Sequence, residues 1–192
     1  MNVHNIVHYP HYTTFQNIQK ALPWVYTLFF YIYMAAMLSE SGSHHYILYF
    51  LRPDYNNFSK RLVKSPKLYF YDTGLACSLL EIRNVSQLDS HYLRGGLFEN
   101  MVINEFLKRD YNRGLEPALS FWHDSAGNEV DLIQTEADCQ YAYEIKSGAT
   151  FSKEYFKGLN YWSKLSGADP ERKTVIYGGD KSMQTSDGKV VS

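Results

Sequence analysis

Three charged residues in the second half of the chain have the types and spacing of a metal-dependent hydrolytic site. Asp131 lies in the segment GNEVDLI, and Glu144 and Lys146 lie in the segment YEIKSG. Neighbouring carboxylates repel each other unless a cation lies between them, and Mg²⁺ or Mn²⁺ prefers oxygen ligands. Asp131 and Glu144 are therefore the candidate metal ligands, with the backbone carbonyl of Ile145 as a further one. The candidate cofactor is Mg²⁺ or Mn²⁺.

Such a site suits the hydrolysis of phosphodiesters. Mg²⁺ keeps several waters and uses one or two carboxylates together with phosphate oxygens. The ion would polarise a phosphoryl oxygen and lower the pKa of a bound water. Lys146 would orient or deprotonate that water, or neutralise charge that grows in the transition state.

A β-hairpin must bring these residues together. Period-two alternation predicts two strands joined by a turn centred on Ala137, which places Asp131 opposite Tyr143 or Glu144. Facing residues of an antiparallel pair have Cβ atoms about 4.5–5.5 Å apart. Glu144 and Lys146 are two residues apart and share one strand face. The hairpin therefore predicts that the three side chains occupy one small volume. An exposed hairpin with solvated charges is the structural alternative.

Glu99 is predicted to join this group as a fourth catalytic candidate. It precedes the apolar residues Val102, Ile103 and Phe106 at helical spacing and so shares their inward face. A carboxylate on an apolar stripe is costly without a partner. A metal ion or Lys146 would supply that partner.

The order of elements predicts an α/β fold with a mixed central sheet flanked by helices. The predicted organisation is an N-terminal extension over 1–45, a lead-in segment over 46–92, a core over 93–180 and a polar tail over 181–192. The predicted helices are Leu75–Leu80, about Arg94–Lys108 and about Lys153–Leu165. The predicted strands are Tyr46–Leu51, Lys67–Tyr71, Leu119–His123, Glu129–Gln134, Gln140–Lys146 and Thr174–Tyr177.

The uncharged stretch Ala21–Leu38 is long enough for a short membrane span. Its several Tyr and Thr side chains and Pro23 instead favour a helix covered by protein, such as a second copy of the chain. We therefore expect no membrane association and regard self-association as one form of partner. A third interpretation is that this stretch does not belong to the domain.

The overall charge gives no general attraction to nucleic acid, since 19 basic residues face 20 acidic ones and the net charge is -1. A local patch could still supply it. Lys60, Arg61, Lys64 and Lys67 lie within eight residues and are interleaved with aromatic side chains, as in surfaces that follow a phosphate backbone. A strand edge protected by solvated lysines is the equally weighted alternative.

The cysteine pattern favours a reducing compartment. Cys77 and Cys139 are far apart in the sequence and form no C-x-x-C pair, which argues against a zinc site or a disulfide framework. We therefore expect a cytoplasmic location.

The segments around these residues resemble a known superfamily. FEN, GNEVDLI and YEIKSG together resemble the PD-(D/E)xK, or restriction-endonuclease-like, nucleases, in the form found at the C-terminus of a group of prokaryotic AAA+ ATPases. The segments NFSKRLVKSPKLYFYDTGLACSLL, FKGLNYWSKLSG and VIYGG extend the likeness. It covers about residues 46–180, and the joint pattern is much more specific than the E-x-K motif alone.

The resemblance implies a restriction-endonuclease-like core with Glu99 on its first helix, Asp131 as the motif aspartate, and Glu144 with Lys146 as the E-x-K pair. It also implies nucleic acid, DNA included, as the partner. Asp131 departs from the motif because Val130 and not proline precedes it.

The chain differs from that ATPase group in its N-terminal part. It contains no G-x-x-x-x-G-K-[ST] motif, so we expect no ATP hydrolysis and interpret the chain as a truncated or rearranged member. Two functions follow as expectations. One is a nuclease that depends on Mg²⁺ or Mn²⁺. The alternative is a non-catalytic module that binds nucleic acid or protein and serves a separate AAA+ ATPase.

Overall fold

The structure is a computed structural model that describes residues 47–54 and 65–192. The predictions for Ala21–Leu38 and for the basic residues Lys60, Arg61 and Lys64 lie outside these residues. The compact unit that carries the candidate residues is Tyr49–Ser192.

Within the described residues the chain forms one mixed sheet of eight strands, and the predicted α/β class with a mixed sheet is confirmed. The strand order is β2-β1-β3-β4-β5-β6-β8-β7. The pairs β3 with β4, β4 with β5 and β7 with β8 are antiparallel, whereas β1 with β3, β5 with β6 and β6 with β8 are parallel. The strands are β1 Leu48–Pro53, β2 Lys67–Phe70, β3 Leu119–His123, β4 Glu129–Glu136, β5 Cys139–Lys146, β6 Lys173–Tyr177, β7 Met183–Gln184 and β8 Lys189–Val191.

Helices cover the two faces of this sheet. The α-helices are α1 Thr73–Leu79, α2 Val85–Ser90, α3 Arg94–Asn112 and α4 Lys157–Ser166. Short 3₁₀ turns cover Lys153–Phe156 and Pro170–Arg172, so the helix predicted from Lys153 begins as a 3₁₀ turn. It ends at Gly167, whose φ of 72° is readily adopted by glycine.

The core is divided between the two sheet faces. Leu159 and Trp162 of α4 pack with Trp122, Ala142 and Val175 on one face. On the other face α3 contributes its own apolar stripe, which packs against alternate residues of the same strands. That second cluster contains Leu51, Tyr69, Val102, Ile103, Phe121, Leu132 and Ile145. The central strands β3, β4 and β5 are thus buried on both sides.

The expected polar tail over 181–192 is ordered as part of the sheet. It contains β7 and β8, and Val190 of β8 is only 1% exposed in the core beneath α4. These strands have two and three residues, which is too short for an alternation pattern to be recognised in the sequence.

Candidate functional site

The β4–β5 hairpin has the predicted topology, and its register shows which residue lies opposite Asp131. Leu132 pairs with Tyr143, and each following pair has the same sum of residue numbers. One further step along this register places Asp131 beside Glu144, the second of the two expected neighbours. Ala137 lies in the turn with a φ of 51°.

A β-bulge in β4 determines where Asp131 points. Ser120 of β3 pairs with Ile133 and Trp122 pairs with Val130, so β4 has one residue more than β3 between these pairs. Val130 and Ile133 consequently lie in the same core cluster although they are three residues apart. Strict alternation would have placed Asp131 on the face of Ile133. The bulge instead turns Asp131 away from that core.

Asp131 lies next to the last paired residues of the hairpin, Leu132 and Tyr143. Its carboxylate accepts a hydrogen bond from the backbone N–H of Ile145 at 2.8 Å, and Nζ of Lys146 lies 3.8 Å away. The residue is 6% exposed. Burial, and then the charge of Glu99, raise its pKa to about 6 against the attraction of Lys146.

Glu144 has one paired and one unpaired oxygen. Its Oε1 lies 2.5 Å from Nζ of Lys146, whereas Oε2 is buried and has no hydrogen-bond partner in the described part of the chain. Helix α4 covers that oxygen at Gly158. A Cβ on Gly158 would lie 3.7 Å from Oε2 and only 2.2 Å from the carbonyl oxygen of Glu129, so glycine is required for this approach.

The electrostatics of Glu144 and Lys146 reflect this environment. Burial, and then the nearby charge of Asp131, raise the pKa of Glu144 to about 7. Burial by itself lowers the pKa of Lys146, but the charge of Asp131 and the contact with Glu144 outweigh it and raise the pKa overall. Lys146 is therefore an ammonium group that two carboxylates share.

Glu99 is held by β2 and not by Lys146. The hydroxyl of Tyr69 donates a short hydrogen bond to Oε1 of Glu99, and Nζ of Lys67 lies 3.2 Å from the same oxygen. Lys67 also contacts Oε1 of Glu129 at 2.5 Å, and its ammonium lies 5.2 Å from the centre of the Phe121 ring. The carboxylates of Glu99 and Glu129 thus share the second ammonium group of the site.

This position of Lys67 differs from the one expected. The sequence pattern grouped it with an outward-facing basic patch, but the structure places it among carboxylates. Its burial lowers its pKa, and the charge of Glu99 with the hydrogen bond to Glu129 raises that pKa overall. A nucleic-acid-binding role for Lys60, Arg61, Lys64 and Lys67 stays a prediction.

Two buried amides connect β2 with α3. Asn100 accepts a hydrogen bond from the N–H of Phe70 at 2.9 Å and donates to the carbonyl of the same residue at 2.8 Å. Asn104 donates to the carbonyls of Phe70 and Tyr71. Asn100 therefore pairs with β2 as a neighbouring strand would, and it fixes the residues of β2 over the residues of α3.

These contacts define the acid–lysine cluster. It unites α3 and β2 with β4 and β5, and the predicted convergence of Glu99, Asp131, Glu144 and Lys146 is observed. The cluster consists of Lys67, Glu99, Glu129, Asp131, Glu144 and Lys146.

The charges of the cluster bear on its capacity for a cation. Four carboxylates face two ammonium groups, so the fully ionised cluster has two excess negative charges. Across the residues that the structure describes, no set of three or more His, Cys, Asp or Glu is arranged as a ready metal-binding group. The unpaired oxygen of Glu144 and the raised pKa values of two carboxyls nevertheless fit a site that accepts a cation.

Sequence reasoning missed three contributors to this arrangement. Glu129, Tyr69 and Asn100 were not selected as site residues. The sequence did contain a signal for Tyr69, because Lys67 and Tyr69 are two residues apart on a predicted strand and therefore share a face. No such signal linked that face to Glu99, which is 32 residues from Lys67.

Among the described helices none is long and apolar enough to cross a membrane. The two cysteines are free thiols.

Comparison with known proteins identifies families without known functions. Residues 94–192 match the family described as domain of unknown function DUF4143, and residues 43–86 match a second one, DUF8612. An uncharacterized protein of Mycobacterium bovis and one of Mycobacterium tuberculosis are each 29% identical over 138 residues. This alignment covers 71% of the chain but only 29% of either relative, so the chain spans under a third of their length. No solved structure matches the chain.

Proposed function

The chain belongs to the DUF4143 family, and we propose that its acid–lysine cluster is the site of a divalent-cation-dependent nuclease that hydrolyses nucleic-acid phosphodiesters. The proposed fold is a restriction-endonuclease-like core within the observed mixed sheet. The proposed cofactor is Mg²⁺ or Mn²⁺, and DNA is a candidate substrate.

One observation carries this proposal. Nζ of Lys146 lies 2.5 Å from Glu144 and 3.8 Å from Asp131, while the second oxygen of Glu144 is buried without a partner among the described residues. A buried carboxylate oxygen with no partner is costly. A salt bridge that served only stability could form at the surface without burying such an oxygen. The arrangement is therefore better suited to binding a cation than to structural stability alone.

The side chains have distinct roles in this proposal. Asp131 and Glu144, with the carbonyl of Ile145, would hold the ion, which supplies Lewis-acid polarisation and a more acidic water. The N–H of Ile145 orients the carboxylate of Asp131. Lys146 keeps a positive charge beside both ligands and would stabilise negative charge on a phosphoryl group.

A second candidate is a non-catalytic module that binds nucleic acid or a separate AAA+ ATPase. Its support is that Lys67 and Lys146 already neutralise part of the acidic charge, and that the described residues include no ready group of three metal ligands. The mycobacterial relatives are much longer than this chain, which also suits a domain that serves other domains. Binding without cleavage would favour this candidate.

The test is cleavage by the purified chain of single- and double-stranded DNA and RNA, with Mg²⁺, with Mn²⁺ and with a chelator. We expect cleavage only with a divalent ion and its loss in Asp131→Asn and Glu144→Gln. Asp138→Asn is the matched control, because Asp138 is exposed in the turn of the same hairpin and lies outside the cluster. Cleavage that Asp131→Asn retains in full, or its absence with every substrate and ion, would contradict the proposal.

A further inference from the structure

The cluster has two halves, each built around one lysine. The hairpin half consists of Asp131, Glu144 and Lys146, and the lead-in half consists of Lys67, Glu99 and Glu129. In each half an ammonium nitrogen lies 2.5 Å from one glutamate oxygen and farther from a second carboxylate. The halves also interact, because the pKa of Asp131 responds to Glu99 and Lys67 as well as to Lys146.

The two halves differ in whether a buried oxygen is left without a partner among the described residues. In the hairpin half a buried oxygen of Glu144 has no partner within the described chain. In the lead-in half Lys67 contacts both glutamates, and the hydroxyl of Tyr69 donates a second hydrogen bond to Glu99. The hairpin half therefore keeps, besides its own ammonium group Lys146, a buried oxygen with which a further cation can pair, whereas no buried oxygen of the lead-in half is left unpaired among the described residues.

We propose that Lys67 occupies a second cation position, so that the chain binds one divalent ion, in the hairpin half, and not two. This inference rests on the metal site of the proposed function. In two-metal hydrolytic sites the ions lie about 3.5–4 Å apart and stabilise the attacking and leaving oxygens of the phosphate. Here a lysine supplies positive charge in the second position.

The charge count agrees with this assignment. Four carboxylates and two ammonium groups leave an excess of two negative charges, which one divalent ion neutralises. Two divalent ions would leave two excess positive charges among groups that are partly buried, and that is unfavourable.

Lys67 is held in this position by the fold. It begins β2, in which both the N–H and the carbonyl of Phe70 form hydrogen bonds with the side chain of Asn100. Its ammonium also lies against the ring of Phe121, a favourable cation–π geometry. Lys67 is thus a positioning residue that neutralises Glu99 and Glu129.

The test counts Mn²⁺ bound to the full chain by equilibrium dialysis, without substrate. We expect one Mn²⁺ per chain for the wild type and for Lys67→Arg, which keeps the charge. Lys67→Met removes the charge but keeps an unbranched side chain, and we expect two. The double variant Lys67→Met with Glu129→Gln should return to one, because the second position then has one carboxylate fewer.

Lys67→Gln provides a second uncharged variant if Lys67→Met does not fold, and circular dichroism checks the fold of each. The inference is overturned if the folded uncharged variants still bind one ion with unchanged affinity, or if the wild type binds two. In both cases the proposed metal site stands. A wild type that binds no Mn²⁺ overturns the inference and that metal site together.

Discussion

The two halves of the acid–lysine cluster are alike in chemistry and different in origin. The hairpin half comes from two consecutive strands, in which Asp131 and Ile145 are 14 residues apart. The lead-in half joins α3 and the first residue of β4 to an edge strand that precedes α3 by about 30 residues. Turn geometry determines the first, whereas the second depends on tertiary packing. The hairpin half was accordingly predicted from the sequence, whereas of the lead-in half only the inward position of Glu99 was predicted.

The two halves also differ in function, because among the described residues a buried oxygen without a partner occurs in the hairpin half and not in the lead-in half. If the halves have the assigned roles, changes in the first should affect metal binding and cleavage. Changes in the second should affect metal number or stability.

The largest effect is expected for Lys146→Ala. The substitution removes a competing positive charge beside Asp131 and Glu144 but leaves their oxygens, so Mn²⁺ binding should persist or strengthen. Cleavage should fall by at least about a hundredfold, as is typical when a group that stabilises transition-state charge is removed. Parallel measurement of Mn²⁺ affinity and cleavage rate checks this. Equal loss of both would assign Lys146 to metal binding and weaken the division.

Mn²⁺ should stabilise the folded chain through the hairpin half. A ligand that binds only the folded state raises the free energy of unfolding by about 2.7 kcal/mol at one hundred times its dissociation constant. Thermal melting across a titration of Mg²⁺ or Mn²⁺ measures this effect. Asp131→Ala and Glu144→Ala should abolish it, and Asp138→Ala should not. Identical titration curves for wild type and Asp131→Ala would favour the non-catalytic module.

Asn100→Leu should destabilise the lead-in half. The substitution keeps a side chain of similar size but leaves the N–H of Phe70 without its amide partner and removes one of the donors to its carbonyl. A buried polar group left without a partner costs about 1–3 kcal/mol. Urea denaturation measures the loss. Asn112→Leu, the same substitution at the exposed end of α3, serves as a control for an amide outside the site, and a loss as small as in that control would refute the role of Asn100.

A separate effect, which needs no metal, is a dependence of stability on pH. The pKa values of Asp131 and Glu144 are raised to about 6 and about 7 in the folded state, against about 3.9 and 4.3 in an unfolded chain. The folded state therefore retains protons that the unfolded state has released, and stability falls as pH rises from about 4 to about 7.

Denaturation in chelator at a series of pH values checks this for the wild type and for Asp131→Asn with Glu144→Gln. The difference between the two isolates these carboxyls from all other titrating groups. The free energy of unfolding of the wild type relative to the double variant should decrease as pH rises from about 4 to about 7. A difference that is constant over this range would contradict the pKa shifts.

The sequence by itself determined the α/β class, the central hairpin and the choice of Asp131, Glu144 and Lys146 as its candidate residues. Alternation identified β3, β4 and β5, and helical spacing identified the inward face of α3, because these signals arise from neighbouring residues. The sequence placed Asn100 and Asn104 in the predicted helix but assigned them no role. Helical spacing does not reveal which groups a buried amide forms hydrogen bonds with.

Only the tertiary structure decided the direction of Asp131 and the place of Lys67. The bulge in β4 becomes visible when β4 is paired with β3, since an extra residue is defined by its partner strand. Lys67 resembled a solvated surface lysine in the sequence, and its burial among Glu99 and Glu129 follows from docking β2 on α3. Contacts between elements distant in the chain depend on how those elements pack, and local periodicity carries no information about that packing.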